Sequence, residues 1–165
     1  MIRVLSGPVY SFALRLCGNR EAAEDITQET FLAVWRNIRT FKAKSRFSTW
    51  VFGIAYRQCL MHRRQSPMET VELNEDWPEP SDSMETVLEA ALLWEAVRNL
   101  PETYRDAVLL VNYQGLTYRE AAGVVDVPIG TLKSRMNYAF KLLREQLAEG
   151  EVDEREMRQS QDLSR

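Results

Sequence analysis

A helix-turn-helix pattern near the C-terminal end constrains the fold of this 165-residue chain more than any other feature. Residues 100–101 (Leu-Pro) predict the start of one helix, and Gly115 can end it. Thr117 and Glu120 have the spacing of a capping box, which predicts that the next helix starts there. Residues 126–128 (Asp-Val-Pro) form a turn, and a third helix follows. Two short helices joined by such a turn place the second one in the major groove of DNA, so the pattern predicts a DNA-binding module.

The helix after this turn has an apolar face and a polar face when its residues are placed at 100° intervals. We expect the apolar face to be buried: Leu132, Met136, Ala139, Phe140, Leu143 and Leu147. Polar side chains at the leading end suit base edges, and the lysines and arginines suit phosphates. The candidate DNA-binding residues of this helix are Thr131, Lys133, Ser134, Arg135, Asn137, Tyr138 and Lys141. The alternative is a solvated amphipathic helix.

Charge is segregated along the chain. Residues 1–66 hold 11 lysines and arginines against 4 carboxylates, and residues 67–99 hold 1 against 9. This segregation predicts an electropositive N-terminal module over 1–66, an acidic linker over 67–83, a nearly neutral C-terminal module over 84–147 and a frayed, charged tail over 148–165. The prolines and carboxylates of the linker argue against a packed core. It is either a solvated tether or a segment that threads a basic channel on a partner.

Three helices are predicted in the N-terminal module, over about residues 8–17, 20–40 and 48–64, with Ser48 as the N-cap of the last. Apolar residues of the second helix share one arc that can face a core. A polar stripe with one leucine lies on the opposite arc: Asp25, Gln28, Glu29, Leu32 and Arg36. By itself, this stripe is either a solvated face or a docking surface for another protein.

The residue inventory excludes several classes of protein. Cys17, Cys59 and the single histidine, His62, cannot build a Cys/His zinc site, and we expect the thiols to be buried. No nucleophile motif is present, so we expect no enzyme, no cofactor, no metal and no small-molecule substrate. No apolar run reaches the roughly 18–20 residues that cross a bilayer, and no signal peptide is visible at the start. We therefore expect a cytoplasmic protein without membrane insertion.

Five segments resemble, in order, the extracytoplasmic-function (group 4) sigma factors of bacterial RNA polymerase. Residues 25–35 (DITQETFLAVW) resemble the segment that binds core polymerase, and residues 47–55 (FSTWVFGIA) resemble the promoter-opening segment that follows it. Residues 100–105 (LPETYR), 115–122 (GLTYREAA) and 127–135 (VPIGTLKSR) resemble the second domain of the family. The resemblance implies an all-α protein of two small helical domains joined by a flexible acidic linker, the C-terminal one a helix-turn-helix. It also implies that the chain begins inside what is normally the first helix.

The same resemblance implies a subunit that directs promoter-specific transcription initiation. Residues 1–66 would bind core RNA polymerase and would recognise and melt the −10 element, and residues 84–147 would recognise the −35 element of promoter DNA. The polar stripe would then be the polymerase-binding surface. An inhibitory anti-sigma factor is the further partner that the resemblance implies.

Holding unpaired bases requires cations against phosphates and aromatic faces for stacking. The loop after the second helix, together with the third helix, supplies that combination for the −10 element: Lys42, Lys44, Arg46, Phe47, Trp50, Tyr56, Arg57, Arg63 and Arg64. Phe47 and Trp50 could instead be core residues that anchor the loop. Arg63 and Arg64 could simply end the helix favourably against its dipole.

Two other classes of protein are compatible with part of the pattern. A stand-alone helix-turn-helix transcriptional regulator would bind duplex DNA without polymerase and would use its N-terminal module to dimerise. A protein-binding module whose DNA surfaces have decayed is the other, because the family often has two arginines where Tyr138 and Phe140 stand. Reconstitution with core polymerase separates all three.

Overall fold

The structure is a computed structural model that describes residues 2–65 and 84–162. The predicted acidic linker, 67–83, lies outside these residues. The helices are α1 (Ile2–Cys17), α2 (Arg20–Asn37), α3 (Phe47–Gln65), α4 (Met84–Arg98), α5 (Glu102–Val108), α6 (Tyr118–Val125) and α7 (Ile129–Asp162). A 3-10 turn, Ile38–Thr40, follows α2, and a π-helical segment, Leu109–Tyr113, follows α5. The described part of the chain contains no strand, and the predicted all-α class is confirmed.

The described residues form two compact units. One contains residues 2–65 together with 109–133, and the other contains residues 84–108 together with the part of α7 from residue 134 onward. This grouping differs from the predicted division at the linker. The difference arises because side chains of the segment 109–133 contact those of α1 and α3, as described below.

The core of the first unit lies between α1, α2 and α3. The buried residues of α1 from Val9 onward, and those of α2, recur at the spacing of one helix face, and α3 between them is buried over most of its length up to Cys59. The rings of Phe12 and Phe52 meet edge to face with their centroids 5.5 Å apart. Thr30 is fully buried on the inner face of α2, and its hydroxyl has no hydrogen-bond partner among the described residues. Four residues of the arc predicted to face the core are buried: Ala23, Ile26, Thr30 and Val34. Phe31 of that arc is half-buried, and Ile38, which lies beyond the end of α2, is exposed.

The second unit has its own set of buried side chains. They come from α4, the turn after it, α5 and α7: Trp94, Ala96, Val97, Leu100, Ala107, Val108, Met136, Ala139 and Leu143. Arg105 is also buried, and its Nη1 donates to the backbone oxygen of Arg98, 3.1 Å away. That carbonyl belongs to the last turn of α4, where no later helical N–H is available to it.

Three helix boundaries differ from the sequence prediction. The first helix starts six residues earlier and includes Pro8. Pro8 has no N–H to donate to the carbonyl oxygen of Val4, four residues earlier. Val4 is exposed, so water can take the place of that donor. The third helix starts at Phe47, and Trp50 N–H donates to Arg46 O at 3.1 Å, so Ser48 is inside the helix and does not cap it. The predicted frayed tail is helical as far as Asp162, since glutamate, arginine and glutamine are good helix formers.

Candidate functional site

The polar stripe of α2 faces away from the core of the first unit. All five predicted residues are exposed: Asp25, Gln28, Glu29, Leu32 and Arg36. Asn19 fixes the start of the helix, because its Oδ1 accepts a hydrogen bond from Ala22 N–H at 3.0 Å. The helix therefore presents a continuous surface on which a partner could dock.

Trp35 is the residue of this surface that the sequence prediction missed. Its side chain is 76% exposed, and that of Leu32 is 46% exposed. At 100° per residue the two lie about 60° apart on the helix, so they form one apolar patch within the stripe. The position of Trp35 at 100° per residue puts it beside the polar stripe, so the helical periodicity of α2 was the signal that could have identified it.

The loop between α2 and α3 is anchored by three aromatic rings. The centroid of Phe41 lies 5.5 Å from that of Phe47 and 5.2 Å from that of Trp50, and Phe47 and Trp50 are 5.8 Å apart. Each ring is partly exposed. The cluster therefore anchors the loop and still leaves part of each ring open to solvent. Ala43 has a φ of 53°, the left-handed conformation that turns the loop between Phe41 and Phe47.

The cations around this loop have different surroundings. Lys42, Lys44, Arg57 and Arg64 are exposed. Arg63 is half-buried, and its Nε donates to the backbone oxygen of Leu16 at 3.2 Å, which satisfies a carbonyl of the last turn of α1. Tyr56 is buried within α3. The ring of Tyr56 is therefore closed to stacking, and the guanidinium of Arg63 is held by the backbone of α1.

Arg46 is bound to a carboxylate 74 residues further along the chain, that of Glu120. Its Nε and Nη2 each lie 2.7 Å from a different oxygen of Glu120, in the paired geometry that suits a guanidinium and a carboxylate. The hydroxyl of Thr49 donates to the same carboxylate at 3.0 Å. The predicted DNA-binding arginine of the loop is therefore occupied in this structure.

Glu120 also caps α6, as the sequence predicts. The N–H of Thr117 donates to Oε2 of Glu120 at 2.9 Å, and the N–H of Glu120 donates to Oγ1 of Thr117 at 3.2 Å, so both bonds of the capping box are present. The hydrogen bonds from Arg46 are the main cause that lowers the pKa of Glu120 from 4.5 to about 2. Partial burial opposes this effect, and the bonds from Thr117 and Thr49 add to it.

The turn after α6 has the predicted form. Asp126 adopts a left-handed conformation with a φ of 56°, and the N–H of Val127 donates to the oxygen of Ala122 at 3.0 Å. This six-residue closure ends α6 in the way that Schellman motifs do. The N–H of Leu132 then donates to the oxygen of Pro128 at 3.1 Å, which starts α7.

The polar face predicted on α7 is open to solvent. Thr131, Lys133, Ser134, Asn137, Tyr138 and Lys141 are exposed, and Arg135 is half-exposed. Tyr138 stacks on Tyr104 with centroids 6.1 Å apart and rings 10° from parallel, so one of its faces is in contact. Lys141 lies 4.0 Å from Glu145. Of the predicted apolar face, Leu147 is exposed and the other residues are buried or half-buried.

Nothing in the described part of the chain resembles a metal centre. Within it, no group of three histidines, cysteines or carboxylates is placed to hold an ion. Cys17 and Cys59 are buried and unbridged, as expected. Among the helices described, none is long and apolar enough to cross a membrane.

Comparisons with known proteins match both modules. Residues 1–66 match the family model Sigma-70 region 2, and residues 90–143 match Sigma-70 region 4. The chain is 33% identical over 156 residues to the ECF RNA polymerase sigma factor SigE of Mycolicibacterium smegmatis, covering 90% of this chain and 60% of that protein. It is 32% identical over 132 residues to the ECF RNA polymerase sigma factor EcfG of Rhodopseudomonas palustris, covering 78% of this chain and 73% of that protein.

Solved structures agree with these relatives. The sigma factor RpoE of Bartonella quintana, crystallised with the anti-sigma factor NepR, has a TM-score of 0.70 and 26% identity, over 89% of this chain and 94% of that one. CnrH, solved with the cytosolic domain of CnrY, has a similar fold, with a TM-score of 0.65 and 21% identity over 88% of this chain and 86% of that one. Two sigma-70 regions match the chain in order, and EcfG is 32% identical to it over 78% of this chain and 73% of that protein. The chain therefore belongs to the ECF RNA polymerase sigma factors.

Proposed function

We propose that this sigma factor binds core RNA polymerase through α2, opens the −10 element with the loop before α3, and reads the −35 element with α7. The observation that carries the proposal is the solvent-facing stripe on α2, opposite a buried arc of the same helix. The inner face of α2 already packs against the core, so the exposed side chains of Leu32 and Trp35 do not stabilise the fold by burial. A patch of that kind within a charged stripe is typical of a protein interface.

The −10 surface in this proposal is smaller than the sequence prediction. It keeps the exposed or half-exposed members: Lys42, Lys44, Arg46, Phe47, Trp50, Arg57 and Arg64. It omits Tyr56, whose ring is buried, and Arg63, whose guanidinium is half-buried and bonded to the backbone of α1. It keeps Arg46, which is bonded to Glu120 but is exposed. Partly exposed rings beside exposed cations support this assignment, since unpaired bases stack while their phosphates bind cations.

The −35 surface in this proposal is the polar face of α7. Thr131, Ser134, Asn137 and Tyr138 would meet base edges, and Lys133, Arg135 and Lys141 would meet phosphates. The firmly capped start of α6 and the closed turn after it support this role. A helix-turn-helix that reads bases has to hold the start of its second helix in a fixed position.

Three further inferences belong to the same proposal. The protein acts without catalysing a reaction of its own, and it acts in the cytoplasm, where it meets polymerase. It is also held inactive by an anti-sigma protein, an inference supported by the similarity to a sigma factor that was solved with such a partner. Affinity purification of the tagged chain from resting cells should recover that partner beside polymerase. Recovery of polymerase alone would contradict the inference.

The test of the proposed function is run-off transcription with core polymerase on genomic fragments. The wild-type chain should direct initiation at discrete start sites, whereas a stand-alone regulator would bind duplex DNA without polymerase and would direct none. The double variant Asp25→Lys and Glu29→Lys should lose core binding while keeping its helicity and melting temperature. A control with the same change of charge, Glu89→Lys and Glu149→Lys, alters two exposed carboxylates that are not on α2 and should keep core binding.

A further inference from the structure

The carboxylate of Glu120 joins two surfaces that both have a role in promoter binding. On one side it caps the first helix of the helix-turn-helix through Thr117. On the other side it accepts two bonds of 2.7 Å from Arg46 and one of 3.0 Å from Thr49. A capping box needs only the first set of bonds. The second set therefore holds α6 against the loop and the start of α3.

Helix α6 covers part of the surface proposed for the −10 element. A cavity of about 530 Å³ lies between Lys44, Trp50 and Arg57 on one wall and residues 119–124 of α6 on the other. Cavities of roughly 300–1,000 Å³ hold small molecules. A melted strand tracks across a surface over about 4 or more nucleotides. A strand that crosses Trp50 therefore meets α6 on the opposite wall of this cavity.

A second contact holds the segment before α6 to the same unit. The guanidinium carbon of Arg15, on α1, lies 4.7 Å from the centroid of the Tyr113 ring. This distance is within the range of a cation–π interaction. Tyr113 ends the π-helical segment that leads to α6. One contact is made by α1 and the other by the loop before α3 and the first turn of α3, and both belong to one compact unit.

We propose that the bonds of Glu120 to Arg46 and Thr49 form an autoinhibitory latch, in which α6 of the chain itself occupies the −10 surface until polymerase and promoter displace it. The inference rests on the proposed role of the loop and α3. Arg46 is central to it, because the Nε–Nη2 edge of its guanidinium is held against the carboxylate and cannot meet a phosphate at the same time. One residue thus either closes the protein or binds DNA.

The latch is strong enough to bias the free protein and weak enough to open. Its bonds are charge-assisted and paired, which favours them, but the side chain of Arg46 is 58% exposed and water screens the pair. DNA affinity falls in proportion to the fraction of molecules that are open. Removing an ion pair of this kind should raise the affinity of the free protein for single-stranded DNA by roughly three- to tenfold.

The test compares three single variants of the full chain. Glu120→Gln removes the charge of the latch but keeps the cap, because glutamine also serves at this position of a capping box. Thr49→Val removes one bond of the latch without changing the charge. Asp126→Asn is the matched control: it removes one nearby carboxylate, and asparagine tolerates the left-handed φ of 56°. The probe is a fluorescein-labelled single-stranded 12-mer of mixed sequence, followed by anisotropy at low and physiological salt.

We expect Glu120→Gln to bind the probe roughly three- to tenfold more tightly than the wild type, Thr49→Val to change in the same direction by less, and Asp126→Asn to stay within about twofold. Equal gains for Glu120→Gln and Asp126→Asn would show a general charge effect and overturn the latch. No gain for Glu120→Gln, or binding too weak to detect for it and the wild type alike, would also overturn it. Run-off transcription by the wild type with core polymerase decides the proposed function separately from these outcomes.

Discussion

Replacing Trp35 by alanine should weaken the binding of core RNA polymerase by roughly 30- to 150-fold. A tryptophan side chain offers up to about 250 Å² of surface, and 76% of this one is exposed in the free protein. A partner that covers the exposed part therefore removes roughly 190 Å² from water, which at about 25 cal/mol per Å² is worth between 4 and 5 kcal/mol. Incomplete coverage and the ordering of the side chain reduce this to about 2–3 kcal/mol.

The stability of the protein should barely change, because the ring packs against little in the free chain. The assay is competition for core polymerase between labelled wild-type protein and each unlabelled variant, without promoter DNA. Met61→Ala is the control, since Met61 is 54% exposed on α3 and lies outside the stripe. If Trp35→Ala competes within threefold of the wild type, the exposed ring has no part in docking and the patch on α2 is only a solvated face.

The remaining predictions concern the cap, the core and the reading of DNA. The carboxyl of Glu120 should titrate near pH 2 in the wild type and nearer to 4.5 in Arg46→Met, and ¹³C NMR can follow both titrations. Because the pKa of this carboxyl is lower in the folded state, its contribution to stability is complete above pH 4.5 and is lost as the pH falls towards 2. Thr30→Val should raise the free energy of unfolding by about 1 kcal/mol in urea titrations, since valine has the same shape without a buried, unpaired hydroxyl; a lower free energy would contradict the unpaired state of that group. Tyr138→Ala should change the −35 bases selected from random promoters, whereas Lys133→Ala should weaken binding almost uniformly and make the salt dependence shallower by about one unit. An unchanged base preference in Tyr138→Ala would remove that ring from base readout.

Local signals predicted the elements of the fold well. The capping box at Thr117 and Glu120 and the turn over residues 126–128 depend on residues within a few positions of each other, and both are present. The inner and outer faces of α2 follow from helical periodicity alone, and the burial of its side chains confirms them. Features whose partners are close in sequence are therefore accessible to reasoning from the sequence.

Features that depend on distant partners were not accessible in this way. Nothing near Arg46 in the sequence indicates that it binds a carboxylate 74 positions away, nor does the end of α3 indicate that Arg63 bonds Leu16 O. Both arginines are predicted to bind phosphate, and their charge and place in the sequence are the same whether a cation meets DNA or the chain itself. The extension of α7 to Asp162 shows the opposite error, in which alternating charge was taken for disorder although the residues favour a helix.

The two buried cysteines give the protein an internal reporter of its own opening. Cys17 and Cys59, on α1 and α3, are unbridged and shielded from water, and a thiol in such surroundings reacts slowly with alkylating reagents. Their alkylation must wait until the bundle of α1, α2 and α3 loosens, so its rate measures how often that happens. A docked partner that tightens the bundle would protect both thiols, and one that loosens it would expose them. Mass spectrometry of the unmodified wild-type chain could therefore follow the stability of the N-terminal helices inside an assembled polymerase, without any introduced label.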